Sequence, residues 1–419
     1  YMPLNLKFPV SRIMKMLERS GTSIIVADKE SFPLLETILT ESERSYTVIF
    51  ESDEQQWKAR FDKHYFINYS NYDGKNLPEL TSTPDATAYL LFTSGTTGTP
   101  KGVAVSNRNV IAYLDHMIAT WHFTPADRFS HTFDLTFDLS VHDMMVCWLS
   151  GACLCVPLED APLKMASYIK MQNISVWFSV PSVAMLMDKM RLLKEDALAG
   201  LRLSFFCGEP LPENIAMEWQ QATAGQPTVN LYGPSEATIA ISAYAWSKEN
   251  NKAKNGIVSI GKLFPEQEYL LLDVESVTEG HGRGELCLSG SQVIDAYLHD
   301  AEQTDKSFIS LDGYPGMNWY RTGDLAEVDE DGDLFFLGRV DTEVKISGYR
   351  VNLLEIDALV REISGTELVA SVLDDRKGPR IATFVGPGAK ADQQKIIYVC
   401  KQELPWYMIP ELIIFVDEL

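Results

Sequence analysis

Short apolar runs separated by segments of helical period constrain this chain more than any other feature. The runs at 22–27, 88–92, 176–178 and 203–206 read as short buried strands, and helix-like periodicity lies between several of them. That alternation predicts an α/β fold with mostly parallel sheets. From 284 to 339 the texture changes to short strands punctuated by Asp312-Gly313 and Asp331-Gly332, which predicts a β-rich section. A helix over 353–363 and strands over 368–372 and 381–385 then predict a small α+β unit. The domain reading is a large multi-lobed core over 1–341 and a small mobile lobe over 342–419, with no internal repeat. The chain opens on Tyr1-Met2-Pro3 and closes on the apolar run 412–416, and both ends read as cut.

Composition sets the outer limits. A chain of 419 residues that is 46% apolar can bury at least one large core. Its formal charge of −22 argues against a nucleic acid partner, because that binding rests on basic surfaces that displace counterions. No uncharged apolar run nears the roughly 20 residues of a membrane helix, and the first residues carry no signal pattern. The expectation is a cytoplasmic protein. Cysteines 147, 153, 155, 207, 287 and 400 lack zinc spacing and read as buried reduced thiols, with Cys207 set apart by its neighbours.

The strongest chemical signal is the stretch from Leu90 to Val103, which contains Thr93-Ser94-Gly95-Thr96-Thr97-Gly98-Thr99-Pro100-Lys101-Gly102. A strand feeds a loop of hydroxyls and glycines that ends in a lysine, so amides, hydroxyls and an ammonium can face a triphosphate. Lys101 is followed by Gly102, whereas the nucleotide loop of kinase-like ATPases follows its lysine with Ser or Thr. A flexible surface loop is the plainer alternative for this stretch taken alone.

This loop resembles the signature of the adenylate-forming superfamily, which includes acyl-CoA synthetases, luciferases and the adenylation domains of nonribosomal peptide synthesis. Later motifs agree in order: Asn230-Leu231-Tyr232-Gly233-Pro234-Ser235-Glu236-Ala237-Thr238, Gly284-Glu285-Leu286, Tyr320-Arg321-Thr322-Gly323-Asp324, and Gly338-Arg339-Val340-Asp341-Thr342-Glu343-Val344-Lys345-Ile346. The resemblance implies an acyl-adenylate mechanism with ATP and Mg2+. Thr93, Lys101 and Glu236 would be catalytic, the last as metal ligand. Thr93, Ser94, Gly95, Thr96, Thr97, Gly98, Lys101, Gly208, Glu209, Asn230, Leu231, Tyr232, Gly233, Pro234, Ser235, Asp324, Phe336 and Arg339 would hold ATP. In that scheme Tyr232 lies against adenine, Ser235 contacts the α-phosphate, Asp324 accepts from the ribose hydroxyls, Arg339 reaches ribose and phosphate, and Asp341 is the hinge of the small lobe. The residue types suit these tasks: an aromatic face for a purine, a carboxylate for magnesium and for paired hydroxyls, a guanidinium for phosphate.

The segment Thr136-Phe137-Asp138-Leu139-Ser140-Val141-His142-Asp143 speaks to the substrate. Asp138 matches the carboxylate that binds the α-ammonium of an amino acid, a pairing that a fatty acid cannot satisfy. A helix-capping aspartate is the alternative. Leu139, His142, Phe178, Phe205, Cys207, Leu231, Ile239 and Ala240 match the rest of the pocket lining, an apolar and crowded set that favours a small uncharged side chain. His142 is open between a wall and a neutral polar contact.

Within the family, Phe137-Asp138-Leu139-Ser140-Val141 and Phe206-Cys207-Gly208-Glu209-Pro210 most resemble the D-alanine:carrier protein ligases, whose matching cysteine lies against the substrate methyl and helps select the D-enantiomer. His142, Phe178 and Leu231 depart from that subfamily, so D-alanine, L-alanine, glycine, serine and proline stay open. The implied partners are a small amino acid and a phosphopantetheinylated carrier protein. Glu343 and Asn352 stand where glutamine and glutamate are usual. The family's catalytic lysine follows the motif matched by Tyr407-Met408-Ile409-Pro410, and the chain stops at Leu419 without it, which reads as truncation. An acyl-CoA or aryl-acid ligase and a non-catalytic nucleotide-binding homologue are the competing functions. Asp138 argues against the first, and an intact Lys101 and Glu236 against the second.

Overall fold

A computed structural model describes residues 1–72, 81–94, 100–157, 164–273, 282–374, 376 and 378–417. The chain divides into two compact units. One comprises Tyr1–Pro3, Pro84–Leu91 and Val103–Val351; the other comprises Leu4–Thr83, Phe92–Gly102 and Asn352–Leu419.

The first unit is built on a seven-stranded sheet in the order Lys262–Leu263, Ser242–Trp246, Thr228–Tyr232, Leu203–Phe206, Val176–Ser179, Arg128–Ser130, Cys153–Cys155. Lys262–Leu263 and the last five run in one direction, and Ser242–Trp246 runs antiparallel to both of its neighbours. Val176–Ser179, Leu203–Phe206 and Thr228–Tyr232 are buried at every position, as strands covered on both faces must be. The period of two sorts their side chains: Val176, Phe178, Leu203 and Phe205 join one hydrophobic cluster, while Trp177 and Phe206 join the cluster on the opposite face. The expected β-rich section is an antiparallel sheet of Gln267–Leu272, Arg283–Gly290, Trp319–Val328 and Phe308–Ile309, with Leu334–Arg339 also paired to Trp319–Val328.

The second unit holds a three-stranded parallel sheet, Ile24–Val26, Thr47–Phe50 and Tyr65–Asn68. It also holds a sheet of Val369–Asp374, Arg380–Val385 and Leu412–Phe415, flanked by the helices Leu353–Ser364 and Gln393–Glu403. The apolar run that closes the sequence is thus a strand parallel to Arg380–Val385. A buried ion pair of 2.9 Å from Arg12 to Glu355 ties the helix Val10–Ser20 to Leu353–Ser364.

The mixed α/β class matches the expectation. The cysteines match it at 147, 155, 207, 287 and 400, all buried free thiols, and depart from it at Cys153, which is exposed. Cys153 lies on Cys153–Cys155, the last strand in the sheet order, where one side has no covering strand. Among the described residues no helix is long and apolar enough to cross a membrane.

Candidate active site

The five parallel strands are doubly wound. Chain order reverses between Arg128–Ser130, whose sequence successor Cys153–Cys155 lies to one side, and Val176–Ser179 on the other. Such a reversal opens a crevice outside the carboxyl ends of the strands, because the connections leave in opposite directions. The residues that follow those ends here are His131 and Thr132, Val180, Cys207 to Glu209, and Gly233 to Glu236. Thr132 spans the reversal, its hydroxyl donating to the Phe178 carbonyl at 2.7 Å.

Asp138 stands at this crevice as the residue preceding the helix Leu139–Leu149. It makes no capping hydrogen bond with its side chain, so the capping alternative does not describe it. Its carboxylate is buried, and Oδ2 has no hydrogen-bond partner. Burial raises its pKa to about 6; the Glu236 charge pushes the same way, while the Ser235 hydroxyl and the Ile239 amide oppose.

His142 lies one turn further on the same helix face. It is fully buried, its ring 4.7 Å from Phe178 and 5.4 Å from Phe205, both edge-on. Burial lowers its pKa to about 3, so the imidazole is neutral. Cys207, Leu139, Leu231, Ile239 and Ala240 belong to the same buried cluster as the two phenylalanines, and burial pushes the Cys207 thiol up to about 12. The pocket residues expected from sequence are therefore brought together, and Cys207 is a protonated, inert wall.

The segment after Glu236 is held against its own preference. Thr238 and Ile239 adopt φ of 56° and 71°, a region that β-branched residues avoid. Gln292 is fully buried and its amide donates to the carbonyls of Thr238 at 3.3 Å and Ala240 at 2.7 Å, while the Thr238 hydroxyl donates back to the Gln292 carbonyl at 2.5 Å. Gly233 is fixed by close approach: a Cβ there would lie 2.6 Å from the Ala240 Cα.

Gly208, Glu209, Asn230, Leu231, Tyr232, Gly233 and Phe336, scattered through the sequence, line one cavity together with Ile257, Ile260 and Lys345. Tyr232 donates its hydroxyl to Asp324 at 2.6 Å, and Arg339 closes on the other oxygen of Asp324. Arg339 also pairs with Asp341 and Glu343. Glu236 is fully buried and both of its oxygens are engaged: Arg350 donates to them at 2.9 and 3.1 Å, and the Tyr297 hydroxyl at 2.7 Å. Arg350 is shared with Glu343 and Tyr320.

Arg350 arrives on the hairpin Glu343–Ile346 and Tyr349–Asn352. Its turn residue Gly348 has φ of 83° and donates to Glu209 at 2.7 Å, and a Cβ there would meet Val180 Cγ1 at 2.7 Å. The other Glu209 oxygen accepts from the Ser182 amide at 2.8 Å, so this carboxylate is committed to backbone.

Thr93, Ser94 and Lys101 belong to the second unit. Thr93 ends the strand Thr87–Thr93, Lys101 opens the strand Lys101–Ser106 and is buried, and Ser94 accepts from the Asn352 amide at 3.0 Å. Gly95, Thr96, Thr97 and Gly98 lie outside the described residues.

Sequence reading missed Tyr113, His131, Gln292, Tyr297 and Arg350, and gave no role to Asp143, which closes the segment Thr136 to Asp143 quoted above. The first five lie in stretches whose composition does not signal chemistry.

The geometry is that of an adenylation domain. The model of the AMP-binding enzyme family matches residues 1–298. A solved adenylation domain of Vibrio cholerae, AlmE in complex with glycyl-adenosine-5'-phosphate, superposes with a TM-score of 0.89 at 33% identity, over all of this chain and 81% of that one. The D-alanine–D-alanyl carrier protein ligase of Bacillus licheniformis is 29% identical over all of this chain and 81% of its own length. Tyrocidine synthase 2 of Brevibacillus parabrevis is 30% identical over all of this chain and 11% of its own length. The chain belongs to the AMP-binding enzyme family.

Proposed function

We propose that this protein activates a small amino acid with ATP, releases pyrophosphate, and passes the aminoacyl group to the phosphopantetheine thiol of a carrier protein in the cytoplasm. The observation that carries this reading is Asp138: a buried carboxylate oxygen without a hydrogen-bond partner, next in sequence to Leu139 of the apolar cluster that also holds Phe178, Phe205 and Cys207. An unpaired buried carboxylate is costly, and the α-ammonium of an amino acid supplies the missing charge and donors. A fatty or aryl acid leaves it unpaired. The solved relative that holds a glycyl adenylate supports a substrate at the small end of the range.

The other roles follow from residue chemistry. Tyr232 and the cavity walls Asn230, Gly233 and Phe336 suit a flat purine, and Asp324 suits the ribose hydroxyls. Ser235 offers a hydroxyl to phosphate oxygens, and Arg339 a guanidinium. Glu236 is the hard oxygen donor for magnesium, which when bound neutralises phosphate charge. The Glu236 carboxylate already accepts from one cation, the Arg350 guanidinium, and would hold the ion in its place.

In the first step a substrate carboxylate oxygen bonds to the α-phosphorus and the bond to pyrophosphate breaks. In the second, the carrier thiol sulfur bonds to the acyl carbon and AMP leaves. Orientation by Asp138 and charge neutralisation by the basic groups supply the rate. Asp341 sits at the entry to the hairpin that carries Gly348 and Arg350, where a swivel would exchange the two steps.

Amino-acid-dependent pyrophosphate–ATP exchange tests the reading across glycine, both alanines, serine, proline and several fatty and aryl acids. Exchange confined to small amino acids is the expected result. Exchange only with acids lacking an amino group would overturn it.

A further inference from the structure

Tyr297 lies between the strand Arg283–Gly290 and the helix Ala301–Ser307, outside every motif that marks the site. It is buried, and its phenol donates to Glu236 Oε1 at 2.7 Å. Arg350 donates to the same carboxylate, at 2.9 Å to Oε2 and 3.1 Å to Oε1. Glu236 thus meets a neutral donor and a cation, and the two arrive on different segments of the chain.

The two donors are held differently. The Tyr297 amide donates to the Thr304 hydroxyl at 3.1 Å, its backbone bridges to Val103, and its ring packs edge-on against Phe308 at 5.6 Å. Phe308 packs in turn on Tyr320 at 5.1 Å. A few residues earlier the Ile294 amide donates to the Glu236 carbonyl at 2.9 Å, so one segment grips both the backbone and the side chain of Glu236. Arg350 stands instead on the hairpin of Glu343–Ile346 and Tyr349–Asn352, where Glu343 also claims it. The last torsion of a glutamate is broad, so its carboxylate plane turns easily unless an outside group fixes it. A hydrogen bond to one oxygen of a metal-ligating carboxylate does this, and it orients the other oxygen as well.

We propose that Tyr297 is the positioning residue of Glu236: its phenol sets the plane of the carboxylate and keeps it set when the Arg350 guanidinium gives way to the magnesium ion that accompanies ATP. Tyr297 acts through Glu236 and not on the reacting atoms. The inference rests on the reading of Glu236 as the magnesium ligand.

The test is ATP binding against magnesium concentration, by calorimetry without amino acid, so that no turnover enters the reading. Native protein, Y297F, F308L and E236Q are compared, with the thermal midpoint measured alongside. Y297F is expected to raise the magnesium concentration for half-maximal ATP binding by about tenfold, the lower end of the loss when the outer partner of a metal ligand is removed. At saturating magnesium its ATP affinity should return to the native value. F308L loosens the ring packing but keeps the phenol, so it should lower the thermal midpoint and leave the magnesium requirement near native. E236Q should show the largest rise in that requirement. Should Y297F not fold, T304V removes the acceptor of the Tyr297 amide, and a smaller rise is read there instead.

A folded Y297F with the native magnesium requirement, beside an E236Q whose requirement has risen, overturns this inference and leaves the Glu236 reading standing. So does an F308L that shifts as far as Y297F, since packing alone would then account for the effect. An E236Q that needs no more magnesium than the native protein overturns both.

Discussion

The two ends of the proposed site satisfy buried charge in opposite ways. At the nucleotide end every buried carboxylate is already paired: Glu236 with Arg350 and Tyr297, Asp324 with Tyr232 and Arg339, Glu343 with Arg339 and Arg350. At the amino-acid end Asp138 Oδ2 and both oxygens of Asp143 lack hydrogen-bond partners, and burial raises their pKa values to about 6 and about 7. A paired end is stable without ligand, and a nucleotide must displace internal partners to enter. An unpaired end carries a standing cost that a cationic ligand relieves. Affinity at the first end is therefore a difference between two good arrangements, and at the second it is relief of a poor one.

The contrast predicts its largest effect at Asp138. Asp138→Asn should lower kcat/KM for the amino acid by on the order of a hundredfold or more, since truncating a buried charge pair costs roughly 2–5 kcal/mol. ATP affinity should change little. Native kcat/KM should fall about tenfold per pH unit below about 6, because only the carboxylate pairs with the ammonium, and the Asn variant should show no such fall. Equal loss of ATP affinity would show that the two ends are not separate.

Arg350→Ala probes the paired end. Removing one partner leaves Glu236 buried and charged, at a cost of roughly 3 kcal/mol. The thermal midpoint should drop in the presence of a chelator and recover with MgATP, and the magnesium concentration needed for half-maximal ATP binding should fall. An unaltered magnesium requirement would mean that Arg350 and the ion do not share Glu236.

Gln292→Ala tests the seam between the ends. Without the amide bridge to the Thr238 and Ala240 carbonyls, two β-branched residues at positive φ should relax, at about 1–3 kcal/mol of strain each. Stability should fall by about 2 kcal/mol in a denaturant titration, and KM for amino acid and for ATP should rise together. A rise in only one would place the strain at that end alone.

Legibility divided along the same line. The strands at 176–178 and 203–206 could be read from apolar continuity, and Asp138 from its place in a motif, because these are local signals. Gly208, Asn230, Tyr232 and Phe336 were nameable from the resemblance and line one cavity. Arg350, Tyr297 and Gln292 were not, since an arginine after Gly348-Tyr349 reads as an ordinary surface charge until a hairpin carries it to Glu236. Cys153 was misread because apolar neighbours signal a strand but do not say whether it lies in the middle of a sheet or at its edge.

The smallest effect belongs to Asp143, the unpaired carboxylate that no ligand relieves. It is fully buried in the helix that carries His142, with His131 Nδ1 at 3.4 Å, too distant for a good hydrogen bond but close enough to attract. Its folded pKa of about 7 lies above the unfolded value, so the folded state binds the extra proton. The stability it contributes is fully present below the unfolded pKa, near 4, and is lost as pH rises through about 7. Asp143→Asn removes the ionisable group, so native and variant should unfold most nearly alike at and below about pH 4, and the variant should become increasingly the more stable as pH rises to 8. Glycine exchange should change less than for any other variant, because Asp143 does not face the substrate ammonium. Parallel stability profiles from pH 5 to 8 would show that His131 compensates Asp143 fully, and Asp138 would then be the sole uncompensated acid of this helix.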